Sequence, residues 1–257
     1  MVNKIVLVLV AAYLCKSTAF GINGGFVADE NQLPFVVDVG SCSASIIGPD
    51  TLLTAAQCKK TGDTVRFNFQ GQFFVGDCEN HPNWSSGRFD FDVSLCKLRS
   101  EISQVDLLGR IENVQVVQNG QVIVAGFGDG KKRFANLLIK DLFNNSFAAE
   151  GNGQVQAGDV GGPLIVDVDD LVLGPFKILG VAVGVISNTK KTFAVRLDNA
   201  ANFFADFTRR RGSRICGLND ECKVDNGKCQ SERDIVNFFE RELSDAKLLL
   251  KQCLEQN

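Results

Sequence analysis

Residues 158–164 read GDVGGPL, and the third residue of that run limits what the rest of the chain can do. Val160 is a branched hydrocarbon with no lone pair to offer, set between Asp159 and the pair Gly161 and Gly162. Two further stretches stand upstream: residues 53–58 read LTAAQC and residues 92–98 read DVSLCKL. Around all three, from about 41 to 197, short runs rich in Val, Ile, Phe and Leu are separated by Gly, Asn and Asp, as at 65–69, 73–75, 121–125 and 177–186. Runs of that length with turn residues between them predict an antiparallel all-β barrel or sandwich. No internal repeat interrupts them.

In their order along the chain the three stretches resemble the signatures of the chymotrypsin/trypsin-like serine proteases: TAAHC, an Asp-Ile-Ala-Leu-Leu-Lys-Leu run, and GDSGGP. The resemblance covers about 22–207. It implies an all-β fold of two packed six-stranded antiparallel barrels ending on a C-terminal helix. It implies that Asp92 is the carboxylate of a triad whose other two places hold Gln57, for the histidine base, and Val160, for the serine nucleophile. An amide cannot take a proton near neutral pH and valine has none to give, and losing members of such a set costs several orders of magnitude in rate. The resemblance therefore implies a catalytically inactive homologue, with no catalytic residue assigned.

Other positions carry over in the same way. The N–H groups of Gly158 and Val160 are the remnant of an oxyanion hole. Residues 21–25, GINGG, resemble the family's mature start, which pairs Ile22 with Asp159, although no Lys or Arg directly precedes Ile22. Gln154 stands where a trypsin holds aspartate in its specificity pocket, and Ala182, Val183 and Gly184 stand in place of the Ser-Trp-Gly wall that pairs with substrate backbone. Phe127 replaces a tryptophan in an Ala-Gly-Trp-Gly run. Cys42 and Cys58 bracket the degenerate loop at the separation of the family's histidine-loop disulfide. Cys78 and Cys96 are outside the family's usual set, but they fall on the two arms of the hairpin carrying residues 81–84, HPNW, and Asp92, where cross-strand neighbours come within bridging distance. His81, the one histidine of the chain, reads as a structural turn residue there.

The 257 residues, 45% hydrophobic with a formal charge of -3, are enough for a packed core and give no strongly basic face of the kind nucleic-acid binders carry. Lys4, the apolar run 5–14 and the small residues 17–19 read as a secretory signal peptide over 1–19. That run stops at Lys16, short of the roughly 20 apolar residues that a membrane span needs. Removing it takes Cys15 away, so the nine cysteines become eight, an even number suited to four disulfides in an oxidising compartment. Asn83 and Asn144 head Asn-X-Ser sequons open to glycosylation on a secreted protein.

A protease-homologue domain is expected over 20–208 and a separate tail over 209–257. Residues 208–214, TRRRGSR, mark the shift in composition and read as a solvated helix end or a basic linker. Cys216, Cys222, Cys229 and Cys253 follow, with three possible connectivities. A capping box at 231–234 opens an amphipathic helix whose stripe is Ile235, Phe239, Leu243, Ala246, Leu250 and Cys253. These cysteines lack a close Cys-X2-Cys pair and an assisting histidine, so neither metal nor cofactor is expected. The functional expectation is a secreted homologue that binds an extracellular protease, inhibitor or cascade component as cofactor or decoy. Two alternatives are an endopeptidase with unorthodox residual activity, and an anchor that holds anionic polysaccharide through Arg209, Arg210, Arg211 and Arg214.

Overall fold

After a two-residue strand β1 (Phe26–Val27), six strands form the first sheet: β2 (Val36–Asp38), β3 (Ser43–Gly48), β4 (Thr51–Thr54), β5 (Thr64–Phe69), β6 (Gln72–Asn80) and β7 (Ser94–Leu98). A computed structural model of the chain describes residues 21–111, 115–166, 171, 176–185, 189–220 and 222. Alternation shapes this sheet. In β5 the residues Val65, Phe67 and Phe69 are buried while Thr64, Arg66 and Asn68 face water, the period-2 pattern of a strand with one wet side. The strand order is β2-β3-β4-β7-β6-β5, antiparallel throughout, and β2 and β5 approach each other to curl it into a barrel.

The second barrel uses β9 (Gln121–Gly126), β10 (Arg133–Leu142), β11 (Ser146–Gly151), β12 (Pro163–Val166), β13 (Phe176–Val185) and β14 (Thr192–Arg196). Its order β10-β11-β14-β13-β12-β9 is closed by the pairing of β9 with β10, which removes both edges. Strand β1 adds to β10, and the two-residue β8 (Gly109–Arg110) lies parallel to β13. The fold is thus the two-barrel architecture that the resemblance implies, and it resolves the choice between barrel and sandwich that the strand spacing left open.

Three disulfides lie among the described residues. Cys42–Cys58 ties the start of β3 to the loop after β4. Cys78–Cys96 joins directly opposed residues of β6 and β7. Cys216–Cys222 closes a short loop near the end of the described chain, which selects one connectivity for the first two of the four tail cysteines. Cys229, Cys253, the amphipathic helix and the signal peptide lie outside the described residues.

The domain boundary expected at 208 falls inside a helix. Helix α1 (Ala201–Arg211) buries Phe203, Phe204 and Phe207 and stops at Gly212, whose φ of 58° is left-handed. The compact unit continues to Cys222 because residues after the helix fold back on the first barrel. The Cys216 N–H donates to the Ile47 carbonyl at 2.8 Å and Ile215 is fully buried. The basic run is a helix end whose charges meet carboxylates: Arg210 and Arg211 on Glu79, Arg209 and Arg210 on Asp206, and Arg214 on Glu101 at 2.7 Å. No helix among the described residues is long and apolar enough to cross a membrane.

Candidate functional site

Three strand ends meet at the site. Gln57 follows β4, Asp92 precedes β7, and the turn 157–160 leads into β12. The Gln57 side chain does not swing free. Its Nε2 donates to Asp92 Oδ2 at 2.5 Å and to the Val183 carbonyl at 3.0 Å, and the Gln57 backbone N–H donates to Asp92 Oδ1 at 2.8 Å. Asp92 is 1% exposed. Burial pushes its carboxyl above the ordinary value, against the pull of the Gln57 N–H groups. The pair is therefore a carboxylate clamped by an amide. Both Gln57 amide hydrogens are engaged, one by Asp92 and one by the Val183 carbonyl.

Val160 is held at its backbone: its carbonyl accepts from the Ser43 N–H at 2.8 Å. The next residue, Gly161, has φ of 88°, and its N–H donates to the Ala182 carbonyl at 2.8 Å. These bonds seat the turn against β3, and against β13 beside the strand end that Gln57 reaches. Ser43 adds a second tie that the sequence did not advertise. Its Oγ donates to the Gly158 carbonyl and accepts from the Phe127 N–H, each at 2.8 Å. Among the described residues no acceptor is paired with the N–H groups of Gly158 and Val160, the two donors of the oxyanion-hole remnant.

Asp159, fully buried, points the other way. Its carboxylate accepts from Ile22 N at 2.7 Å, Gln156 N at 2.8 Å and Gly128 N at 2.7 Å. Ile22 and Asp159 are thus brought together, with the Ile22 backbone nitrogen donating to the carboxylate. Burial raises the Asp159 carboxyl, the three N–H groups oppose that, and the nearby Asp129 adds to the rise.

The pocket remnant is drawn inward. Gln154 pairs its backbone with Asn23, and its Nε2 donates to the Thr189 carbonyl at 2.9 Å. Ala182 and Val183 are buried, and Gly184 has φ of 141°. Beside Gly184 lies a feature that the sequence reading missed. Phe89 and Phe143 both stack with Phe193, with ring centroids at 5.8 and 6.2 Å. The outer rings are 38% and 45% exposed, and Phe89 approaches the position of a Gly184 side chain to 3.9 Å. These three residues are spread over more than a hundred positions, and the signal in the sequence was only an unexplained Phe three residues before Asp92. A groove of about 980 Å³ lies elsewhere, between β2, the β5–β6 turn and residues 127–132, and contains none of Gln57, Asp92 or Val160.

His81 stands apart from the cleft. Its ring stacks on Phe91 at 4.6 Å and against Phe203 of α1 at 5.0 Å, and its Nδ1 accepts the Asn83 N–H at 3.2 Å. Burial lowers its pKa from 6.5. A base whose folded pKa is depressed opposes folding as pH drops through the window below 6.5, because the unfolded chain takes the proton first. Since the chain has one histidine, proton NMR resolves this directly. We expect a single imidazole titration with a midpoint below 6.5 that does not move when a ligand fills the cleft; a midpoint at or above that value would contradict the packing described.

Two barrels, a loop disulfide and a buried aspartate anchoring the turn before β12 define a serine-protease-like scaffold. Comparison with known proteins gives the family. The family model described as Trypsin matches residues 22–204. Cationic trypsin-3 of Rattus norvegicus is 23% identical over 186 residues, 56% of this chain and 74% of that relative. A trypsin of Simulium vittatum is 27% identical over 194 residues, 57% of this chain and 78% of the relative. A trypsin of Xenopus laevis is 24% identical over 203 residues, 63% and 82% of the two chains. The chain belongs to the trypsin family.

Proposed function

We propose that this protein is a secreted, non-hydrolysing member of the trypsin family that holds an extended peptide segment of an extracellular protease, inhibitor or cascade component in its cleft. The observation that carries this reading is the Gln57 clamp. With both amide hydrogens committed to Asp92 and Val183 O, and with a hydrocarbon at Val160, the cleft lacks a base and a nucleophile. Binding elements remain beside them. The N–H groups of Gly158 and Val160, paired with no acceptor among the described residues, are donors for a carbonyl oxygen, and the turn bearing them is fixed to Ser43 and Ala182. The Phe89–Phe193–Phe143 stack supplies an apolar shelf beside Gly184, where the family pairs its substrate backbone, which favours ligands with large apolar side chains.

Secretion rests on the signal-like leader at 1–19 and is supported by three disulfides, which suit an oxidising compartment. Asn83 and Asn144 are both exposed, as glycosylation of the two sequons requires. The polysaccharide reading has less support, since Arg209, Arg210, Arg211 and Arg214 all have carboxylate partners.

The test is binding of immobilised protein to a panel of extended peptides and protein protease inhibitors, with Phe89→Asp as the cleft variant. Phe89 is exposed enough that the substitution leaves the fold intact, so a fall in affinity of about tenfold or more is expected from loss of one aromatic contact and entry of a charge. Equal binding by Phe89→Asp, or no binding to any member of the panel by the parent, would overturn the proposal.

A further inference from the structure

The second barrel closes on itself through the pairing of β9 with β10, but the first does not close in this way: β2 and β5 are the two ends of its sheet and form no ladder with each other. The groove of about 980 Å³ opens at that seam, lined by Val36, Val37, Asp38, Asn68 and Phe69 from the two end strands and by residues 127, 131 and 132 of the second barrel. The backbone there is turned outward. The Ile46 N–H donates to the Phe35 carbonyl and the Val39 N–H to the Cys42 carbonyl, so alternate residues of this strand face β3, and Val36 and Asp38 between them direct their peptide groups to the other side. On β6 the Val75 carbonyl accepts from the Arg99 N–H, which makes Phe74 and Phe67 a bonded pair of β6 and β5 and leaves Asn68 facing away from β6. On the facing wall the Ala28 N–H donates to the Lys132 carbonyl, so Val27 of β1 turns its peptide groups away from β10. Strand edges of this kind are templates for another chain.

The side chains around the seam are apolar where they meet water. Phe73, 68% exposed, and Val27, 56% exposed, are the two most exposed large apolar side chains among the described residues. Val27 lines the groove, and Phe73 stands on its lip, directly opposite the lining residue Asn68 in a pair whose side chains share a face. Charge is split along the groove. Lys132 Nζ donates to the Gln32 carbonyl at 2.6 Å and to the Glu30 and Leu33 carbonyls at 3.3 Å, which sets Lys132, with Lys131 beside it, at the entry to β2. Glu30 lines the groove at that end and offsets one of the two cations. Asp38 stands at the other end of β2, exposed, its carboxylate accepting the Gly40 N–H at 2.8 Å. The groove is thus positive at one end and negative at the other.

We infer that the seam between β2 and β5 is a docking site, separate from the cleft, for an extended segment of a partner protein that adds as a strand, with apolar side chains at alternate positions, an acidic residue toward Lys131 and a basic residue toward Asp38. The outward peptide groups call for a strand, Phe73 and Val27 call for apolar side chains on it, and the split charge sets its ends. The inference does not rest on what the cleft binds.

The probes are two fluorescein-labelled peptides, RVTVTVE and EVTVTVR, which run the same strand in its two directions, together with RVTPTVE and EVTPTVR, in which proline removes the central N–H. Titrations followed by fluorescence anisotropy use the full chain carrying Phe89→Asp, so that the aromatic shelf of the cleft does not contribute. One of the two strand peptides is expected to bind at least about tenfold more tightly than its proline counterpart. Phe73→Ser and Asp38→Lys, both at exposed positions, are each expected to weaken that binding about tenfold, and the loss in Asp38→Lys is expected to be reversed by a peptide with glutamate in place of its arginine. Substitutions at the seam read this site whether or not the cleft takes a peptide. No binding of either strand peptide at about 1 mM, equal binding of the proline forms, or binding indifferent to both substitutions would overturn the inference. Dimerisation of the parent that Phe73→Ser abolishes would also overturn it, by making a second copy of this chain the occupant of the seam.

Discussion

Gly161→Ala is expected to destabilise the protein by about 3 kcal/mol or more, the sum of backbone strain and forced overlap. Gly161 sits at φ of 88°, and a Cβ there would lie 2.3 Å from both the Ser43 carbonyl oxygen and Thr54 Oγ1. Ser43 and Thr54 belong to the first barrel, whereas Gly161 leads into β12 of the second, so relief would require the barrels to separate locally. The ties given up are the Ser43 N–H to Val160 O bond and the Ser43 Oγ bridge between Gly158 and Phe127. Gly62→Ala separates the two contributions, since Gly62 has φ of 90° with nothing within 4 Å of its would-be Cβ. Only the strain, about 1 kcal/mol, is expected there. Urea midpoints measure both; equal losses in the two variants would contradict the packing at the site.

Asp159→Ala is the second large effect. It leaves the N–H groups of Ile22, Gln156 and Gly128 without an acceptor in a buried setting, at roughly 1–3 kcal/mol for each donor that water cannot reach. Part of this is offset, because the carboxylate is itself penalised by burial, as its raised pKa records. The net expectation is a loss of about 2–4 kcal/mol at neutral pH. The pH dependence has a definite sign. The folded protein holds the Asp159 proton more tightly than the unfolded chain, so the contribution of this group is most favourable below pH 3.8 and declines as pH rises from there through the raised folded value. Asp159→Ala should remove that part of the slope. Chemical denaturation at acidic and neutral pH checks it; an unchanged slope, or a variant as stable as the parent at pH 7, would count against the account.

The barrels were legible because strand alternation and short-range motifs carry them. TVRFNF at 64–69 can bury only one face as a strand, and the resemblance implied the Cys42–Cys58 disulfide that ties the loop after β4. Gln57, Asp92 and Val160 lie within recognisable strings, which is how the resemblance singles them out. What could not be read is what those residues do when assembled. No string shows that the Gln57 amide reaches the Val183 carbonyl, 126 positions away, or that Phe89, Phe143 and Phe193 stack into one shelf.

The expected boundary at 208 failed for a related reason. A basic run looks the same in a linker as at a helix end, and only the distant Glu79 distinguishes the two, by accepting Arg210 and Arg211.

The most direct test of the central claim is to restore Gln57→His and Val160→Ser together and to compare the double variant with the parent, using a serine-directed fluorophosphonate and a mixed peptide library. A histidine at 57 would inherit Asp92 as its partner, and a serine at 160 would stand on a turn whose N–H donors are paired with no acceptor among the described residues. The account predicts no labelling and no cleavage by the parent, and both in the double variant. Labelling or cleavage by the parent would show a catalytic group that this cleft does not reveal, and silence from both proteins would contradict the claim that the cleft keeps the geometry for holding a peptide.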